Sequence, residues 1–220
     1  MNELYFLIQV ITVLLFSFGA LRLGHGALTT AVTVQALIAN LFVLKQIHFL
    51  GFEVTCSDAF AVGSILSLNL LREYFGKKAA TKAISICFFF MIFFVAVSQV
   101  QLIFSPGPHD TAQFAYAKLL TPAPRLLFAS LIAFFLVQHL DVRCFGWISR
   151  ILPRSSFPLR SSLSLTLSQL VDTILFSFLG LYGIVNSILD IILISFLIKA
   201  CVIFTLGPLM GLMRRWIPRV

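Results

Sequence analysis

The sequence predicts an all-α, polytopic membrane protein, a helical bundle of about seven spans. Three observations carry that expectation. Apolar residues make up 60% of the 220 residues and charged residues only 11%, against roughly 25% in soluble proteins. Mean hydropathy is +1.02. Apolar runs of about 20 residues recur along most of the chain, each long enough to cross a hydrocarbon core of about 30 Å. They are too long and too uniformly apolar for the alternating strands of a barrel. A soluble fold would have too few charges to cover so many Leu, Ile, Val and Phe side chains, and no room remains for a separate soluble domain. One transmembrane domain is expected over 1–220.

The spans fall at 4–22, 27–47, 54–75, 83–104, 126–148, 160–182 and 187–212. Gly24-His25-Gly26 breaks the first pair, and Gly51 marks the short second connection. The close pair 27–47 and 54–75 is the weak point, because either could be re-entrant. The longest loop, 105–125, carries Pro106, Pro108, Pro122 and Pro124. A second loop runs from Arg150 through Pro153 and Pro158 to Arg160. Pro208 is expected to kink the last span. The N-terminus lacks a basic segment and a small-residue cleavage site, which fits a retained helix better than a signal peptide.

Charge placement sets the expected topology. With alternate loops on opposite sides, one side collects Arg22, Arg72, Lys77, Lys78, Lys82, Arg143, Arg150, Arg154, Arg160, Arg214, Arg215 and Arg219. The other side has Lys45, Lys118 and Arg125, and Lys199 falls within the last span. That bias of 12 to 3 puts the N-terminus outside and the C-terminus in the cytoplasm. The same placement fits topology and anionic lipid, not nucleic acid, despite a net charge of +8. Cys56, Cys87, Cys144 and Cys201 have no C-x-x-C spacing and are expected to be small buried residues.

Polar groups inside the spans carry the functional signal, since an ionisable group at mid-membrane costs about 2.5–3.5 kcal/mol on insertion scales. Ser164, Ser168 and Asp172 follow i, i+4, i+8 in the sixth span, with Thr166, Gln169 and Thr173 beside them. The serines alone suit helix-to-helix hydrogen bonding. Gln169 with Asp172 points to a site. In the third span Asp58, Asn69 and Glu73 share a face. Asp58 is expected to be hydrated near the outer end, and Glu73 has an ion pair with Arg72 as its plain alternative. Gln138 and Asp141 are i, i+3 neighbours in the fifth span. Lys199 is placed to neutralise Asp172, as a structural lock or as a gate.

Other motifs are set aside. His139, Asp141 and Cys144 do not share a helix face, so no metal is expected. No nucleophile context and no Walker A sequence is present, and no cofactor is called for. Ala59-x-x-x-Gly63 and Gly207-x-x-x-Gly211 let helices approach closely, within the chain or in a homodimer.

In order, the blocks Ile38-Ala-Asn40-Leu-Phe-Val-Leu-Lys45 with Gly51-Phe52, Leu68-Asn69-Leu-Leu-Arg-Glu73-Tyr-Phe-Gly76-Lys77-Lys78, Gln138-x-x-Asp141-Val142-x-x-Phe145, Leu159-Arg160-x-x-x-Ser164-x-x-x-x-Gln169-x-x-Asp172-Thr173-x-x-Phe176, and Lys199 with Pro208 can be compared as one pattern. Over nearly its whole length the chain resembles the queuosine precursor transporter family of bacterial inner-membrane proteins. Asn69 stands where the family usually has Asp, and the first span is additional to the six-helix core of many members. The resemblance implies import of a 7-deazaguanine base: queuine, or the 7-aminomethyl or 7-cyano compound. For such a cargo, Asp172, Gln169, Asn69, Asn40 and Gln138 are the expected contacts. Glu73, Asp141, Lys199, Ser164 and Thr173 are the expected gate or supporting groups. The alternatives are a substrate-capture subunit of an energy-coupling-factor vitamin importer, a membrane enzyme acting on lipids, and a structural membrane protein.

Overall fold

A computed structural model describes residues 1–153 and 157–213. The chain is helical almost throughout, as the apolar runs require. Two compact units are present, Met1–Phe128 and Ala129–Val220.

The first unit opens with two helices, α1 (Asn2–Leu23) and α2 (His25–Phe42), joined by Gly24 alone. Gly24 adopts φ 99°, a left-handed conformation that costs glycine little and other residues more. The expected span 27–47 is corrected here: α2 ends at Phe42, and a β-hairpin follows, β1 (Gln46–Phe49) and β2 (Phe52–Thr55). The strands pair antiparallel, from Gln46 with Thr55 to Phe49 with Phe52. Leu50 and Gly51 form the two-residue turn with φ 51° and 88°, both positive, as the tight hairpin turn demands. The hairpin rests on the first turns of α1. Asn2 Nδ2 donates to His48 O at 2.8 Å and Gln9 Nε2 to Cys56 O at 3.3 Å. Phe6 meets Phe49 edge-on at 5.1 Å.

Helix α3 (Asp58–Phe75) follows, then Gly76, then α4 (Lys77–Ile103). Helix α4 starts within the basic cluster, six residues before the expected 83–104. The expected loop 105–125 contains a short helix, α5 (Gln113–Leu120). The Asp110 carboxylate accepts from the N–H groups of Ala112 (2.7 Å) and Gln113 (3.3 Å) at its start, satisfying donors that a helix N-terminus leaves open. Helix α6 (Ala123–Ile151) begins in the first unit and continues in the second. The second unit is completed by α7 (Phe157–Phe176), extended by a π-helical segment Ser177–Leu181, and by α8 (Ile188–Met213), which runs through Pro208.

Among the described residues five stretches are long and apolar enough to cross a membrane: Asn2–Leu23, His25–Phe42, Lys77–Ile103, Gln113–Val137 and Ser162–Leu181. Helix α3 falls short of that apolarity, because Asp58, Arg72 and Glu73 lie in it. Exposed side chains along α4 (Phe89, Phe90, Ile92, Phe93) and α6 (Phe128, Ile132, Phe135) are apolar. A soluble protein would bury such faces; a bilayer covers them. Cys87 and Cys144 are buried as expected, but Cys56 is half-buried and Cys201 is exposed. Cys201 lies on the face of α8 that also exposes Leu197 and Phe204. No disulfide is formed by any of the four.

The core of the first unit is a close three-helix contact. Leu28 and Val32 of α2 and Leu66, Leu70 and Leu71 of α3 are buried. Ala59, Gly63 and Ser67 are buried at four-residue intervals on α3, so the Ala59-x-x-x-Gly63 pair serves packing within the chain. A Cβ at Gly63 would collide with Val13 Cγ1 of α1 and lie 2.8 Å from Gln35 Oε1 of α2. Three buried polar groups fill the contact: Gln35 Nε2 donates to Ser17 Oγ at 3.0 Å, and Ser67 Oγ to Ser17 Oγ at 3.2 Å. Gly63→Ala is therefore expected to cost about 1–3 kcal/mol by overpacking, read as a lower melting temperature in detergent.

Candidate functional site

In the second unit the polar residues predicted on two separate helices meet. Lys199 Nζ of α8 donates to Asp172 Oδ2 of α7 at 2.9 Å and to Thr173 Oγ1 at 3.1 Å. The Lys199 side chain is 10% exposed and that of Asp172 26%. Thr173 in turn donates to the Gln169 carbonyl oxygen at 2.8 Å. Its hydroxyl thus has its own hydrogen committed and offers Lys199 a lone pair.

The local sequence explains the arrangement. Ser164, Ser168, Thr173 and Ser177 are all buried; Ser164 and Ser168 lie one turn apart on one face of α7, and Thr173 and Ser177 one turn apart on another. On α8, Ser195 and Lys199 are buried one turn apart. The Lys199 ammonium finds its polar partners in Asp172 and Thr173, adjacent in sequence on α7. Gln169 lies one turn before Asp172, and its Oε1 is buried with no hydrogen-bond partner. Arg160 Nε is also buried without one. A buried acceptor lacking a donor is costly, so the Gln169 oxygen marks a place where a ligand's N–H would be favoured.

The first unit holds the remaining described candidates. Asn40 lies in the last turn of α2; its Nδ2 donates to Ala36 O at 2.9 Å, and its Oδ1 is buried with no partner. Asn69 and Glu73 of α3 are both half-buried. Asp58 is 4% exposed, which corrects the expectation of a hydrated residue: the hairpin brings the start of α3 into the fold beside buried Thr55 and Ser57. The side chains of Gln138 and Asp141, and the packing of Gly207 and Gly211, lie outside the described residues. So do Arg154, Arg214, Arg215 and Arg219. His139, set aside as a ligand, is exposed, with its Nδ1 2.8 Å from the Phe135 carbonyl oxygen one turn back.

Sequence reasoning missed Gln35, Ser17 and Ser67 in the first unit and Ser177 and Ser195 in the second. Gln35 was discoverable as an amide inside an apolar run. The serines were not, since serine alone does not show which neighbour it will face.

The family model described as "Putative vitamin uptake transporter" matches residues 59–213. The chain belongs to this vitamin uptake transporter family. A protein of Bacillus subtilis (strain 168) named "Probable queuosine precursor transporter" is 31% identical over 216 residues, covering 96% of this chain and 93% of that protein. No solved structure matches the chain. The protein is thus a multi-pass membrane transporter with a small-molecule substrate.

The vitamin uptake transporter model takes in Asn69, Glu73, Gln169, Asp172 and Lys199. Asn40 and the Gln35–Ser17 contact precede it. The alignment with the Bacillus protein reaches further, so α1 lies largely within it.

In this transporter Lys199→Met would leave a partly buried carboxylate without its counter-charge, at a cost of about 3 kcal/mol. Adding Asp172→Leu should recover most of that loss. Melting temperatures of the two single variants and the double variant in detergent measure both effects.

Proposed function

We propose that this chain imports a 7-deazaguanine precursor of queuosine across the bacterial inner membrane, with residues 1–220 acting as one transport domain of seven crossings and no enzymatic step. The Lys199–Asp172 pair beside the unpartnered Gln169 oxygen carries the reading. A deazaguanine presents N–H donors along its guanine-like edge, and carboxylate and amide oxygens accept from such groups. The relative's name supports the same cargo.

In this reading Asp172 and Gln169 accept from the edge of the base, with Asn69, Asn40 and Gln138 as further contacts. Lys199 holds Asp172 between cargo molecules, and its release forms part of the gate. Thr173 and Ser164 support that side chain, while Glu73 and Asp141 belong to the gate or its surroundings. The bias of Lys and Arg among the loops supports an N-terminus outside and a C-terminus in the cytoplasm. No nucleic acid takes part.

Expression in bacteria lacking both queuosine synthesis and their own transporter tests the reading. Queuine and the 7-aminomethyl and 7-cyano compounds are each supplied, with the downstream enzymes each requires, and queuosine in tRNA is measured. Queuosine is expected with at least one base at low external concentration, without partner proteins. Its absence despite confirmed membrane insertion would favour a capture subunit that needs separate ATPases. Asp172→Asn should lower uptake at least about tenfold, the scale of one lost charge-assisted hydrogen bond; normal rate and affinity would remove the centre of this assignment.

A further inference from the structure

A cleft in the first unit lies away from the residues of the ion pair in sequence and has its own chemistry. Leu37, Asn40 and Leu41 of α2 line it with Met91, Phe94 and Val95 of α4, Leu119 and Leu120 of α5, and Ala123 and Leu127 at the start of α6. As it stands it admits about one water molecule. Its walls are apolar except for Asn40, whose buried Oδ1 has no partner. A lone acceptor is a poor water site, because a buried water needs two to four polar partners. A lipid tail would fit the walls but bring no donor. An occupant with an apolar, flat body and an N–H satisfies both.

The cover of the cleft is lightly built. Helix α5 has eight residues, and Phe114 and Tyr116 on it are exposed. Its last residue, Leu120, is buried and its carbonyl oxygen accepts from Gln99 Nε2 of α4 at 3.0 Å. Exposed Pro106 and Pro108 precede α5, and Thr121 and Pro122 follow it. The Gln99 hydrogen bond and the buried Leu120 side chain hold its C-terminal end, next to the buried start of α6.

We propose that this cleft is a binding station for the flat cargo base, reached when Leu119 and Leu120 draw back. Asn40 Oδ1 accepts a ring N–H of the base, and Phe94 lies against its face, as aromatic side chains do with bases generally. The proposal rests on the deazaguanine reading and gives Asn40 a defined role within it. A merely structural Asn40 is disfavoured by its bonding: its amide donates within its own helix, so Leu at this position would break no bond between helices.

Uptake kinetics in the same bacterial host, using whichever base the wild type imports best, test this. Asn40→Leu should raise KM about tenfold, the scale of one lost hydrogen bond, while the melting temperature in detergent stays level or rises. Phe94→Leu keeps an apolar wall but removes the ring face, and should raise KM several-fold. Wild-type KM in both variants would overturn the cleft alone, leaving it as packing or lipid space. A wild-type protein that imports none of the bases would overturn the cargo reading and this proposal together.

Discussion

A bilayer offers no water to a buried charge, and the contact between Lys199 and Asp172 shows how the second unit meets that constraint. Each group alone would be expensive in the apolar interior. Together, with Thr173 as a second acceptor for the ammonium, they form a locally neutral unit. Much of the surrounding sequence follows from this. Asp172 and Thr173 of α7 together receive the Lys199 ammonium, and Ser195 is buried one turn before Lys199 on α8. Replacing such a pair by well-packed apolar residues is often neutral or stabilising, so stability alone is a weak reason for it.

The first unit solves the same problem without charge. Gln35, Ser17 and Ser67 hydrogen-bond to one another among α1, α2 and α3. Their close approach depends on Gly63, where no side chain would fit. Small residues drive helices together in membranes through packing and short-range hydrogen bonds, since lipid tails are as apolar as the helices. The contrast between the units is physical: one contact is fixed by satisfied neutral groups, the other by a pair of charges that could separate.

The sequence made the helical class legible because hydropathy runs respond to lipid thickness, which is nearly uniform. It also pointed to Lys199 as the counter-charge of Asp172, since two ionisable groups buried in spans seek each other. The hairpin at Gln46–Thr55 was not legible. Ile47, Phe49, Leu50, Phe52 and Val54 extend an apolar run, and only their alternation with Gln46, His48 and Glu53 hints at a strand. Helix α5 was hidden by the prolines around it, and the burial of Asp58 depended on where the hairpin folds. Asn40 was legible as a polar residue in a span, but its orphaned oxygen was not. That depends on which of its two amide ends the helix has already used.

Hydrogen-bond satisfaction distinguishes buried polar groups that polarity alone makes look alike. Gln35 and Gln169 are the same side chain in comparable settings, each inside an apolar helix and near buried hydroxyls. Gln35 is engaged through its amide nitrogen with Ser17, and its oxygen lies 3.5 Å from Ser67 Oγ. Gln169 Oε1 has no partner, and neither does Asn40 Oδ1. Both of these atoms are acceptors on uncharged amides, whereas Arg160 Nε, also buried without a partner, is a donor. Acceptors without donors are complementary to a molecule rich in N–H groups. An unpaired buried acceptor recovers its desolvation penalty when a donor reaches it, so at either atom a ligand bearing an N–H would be favoured over one without.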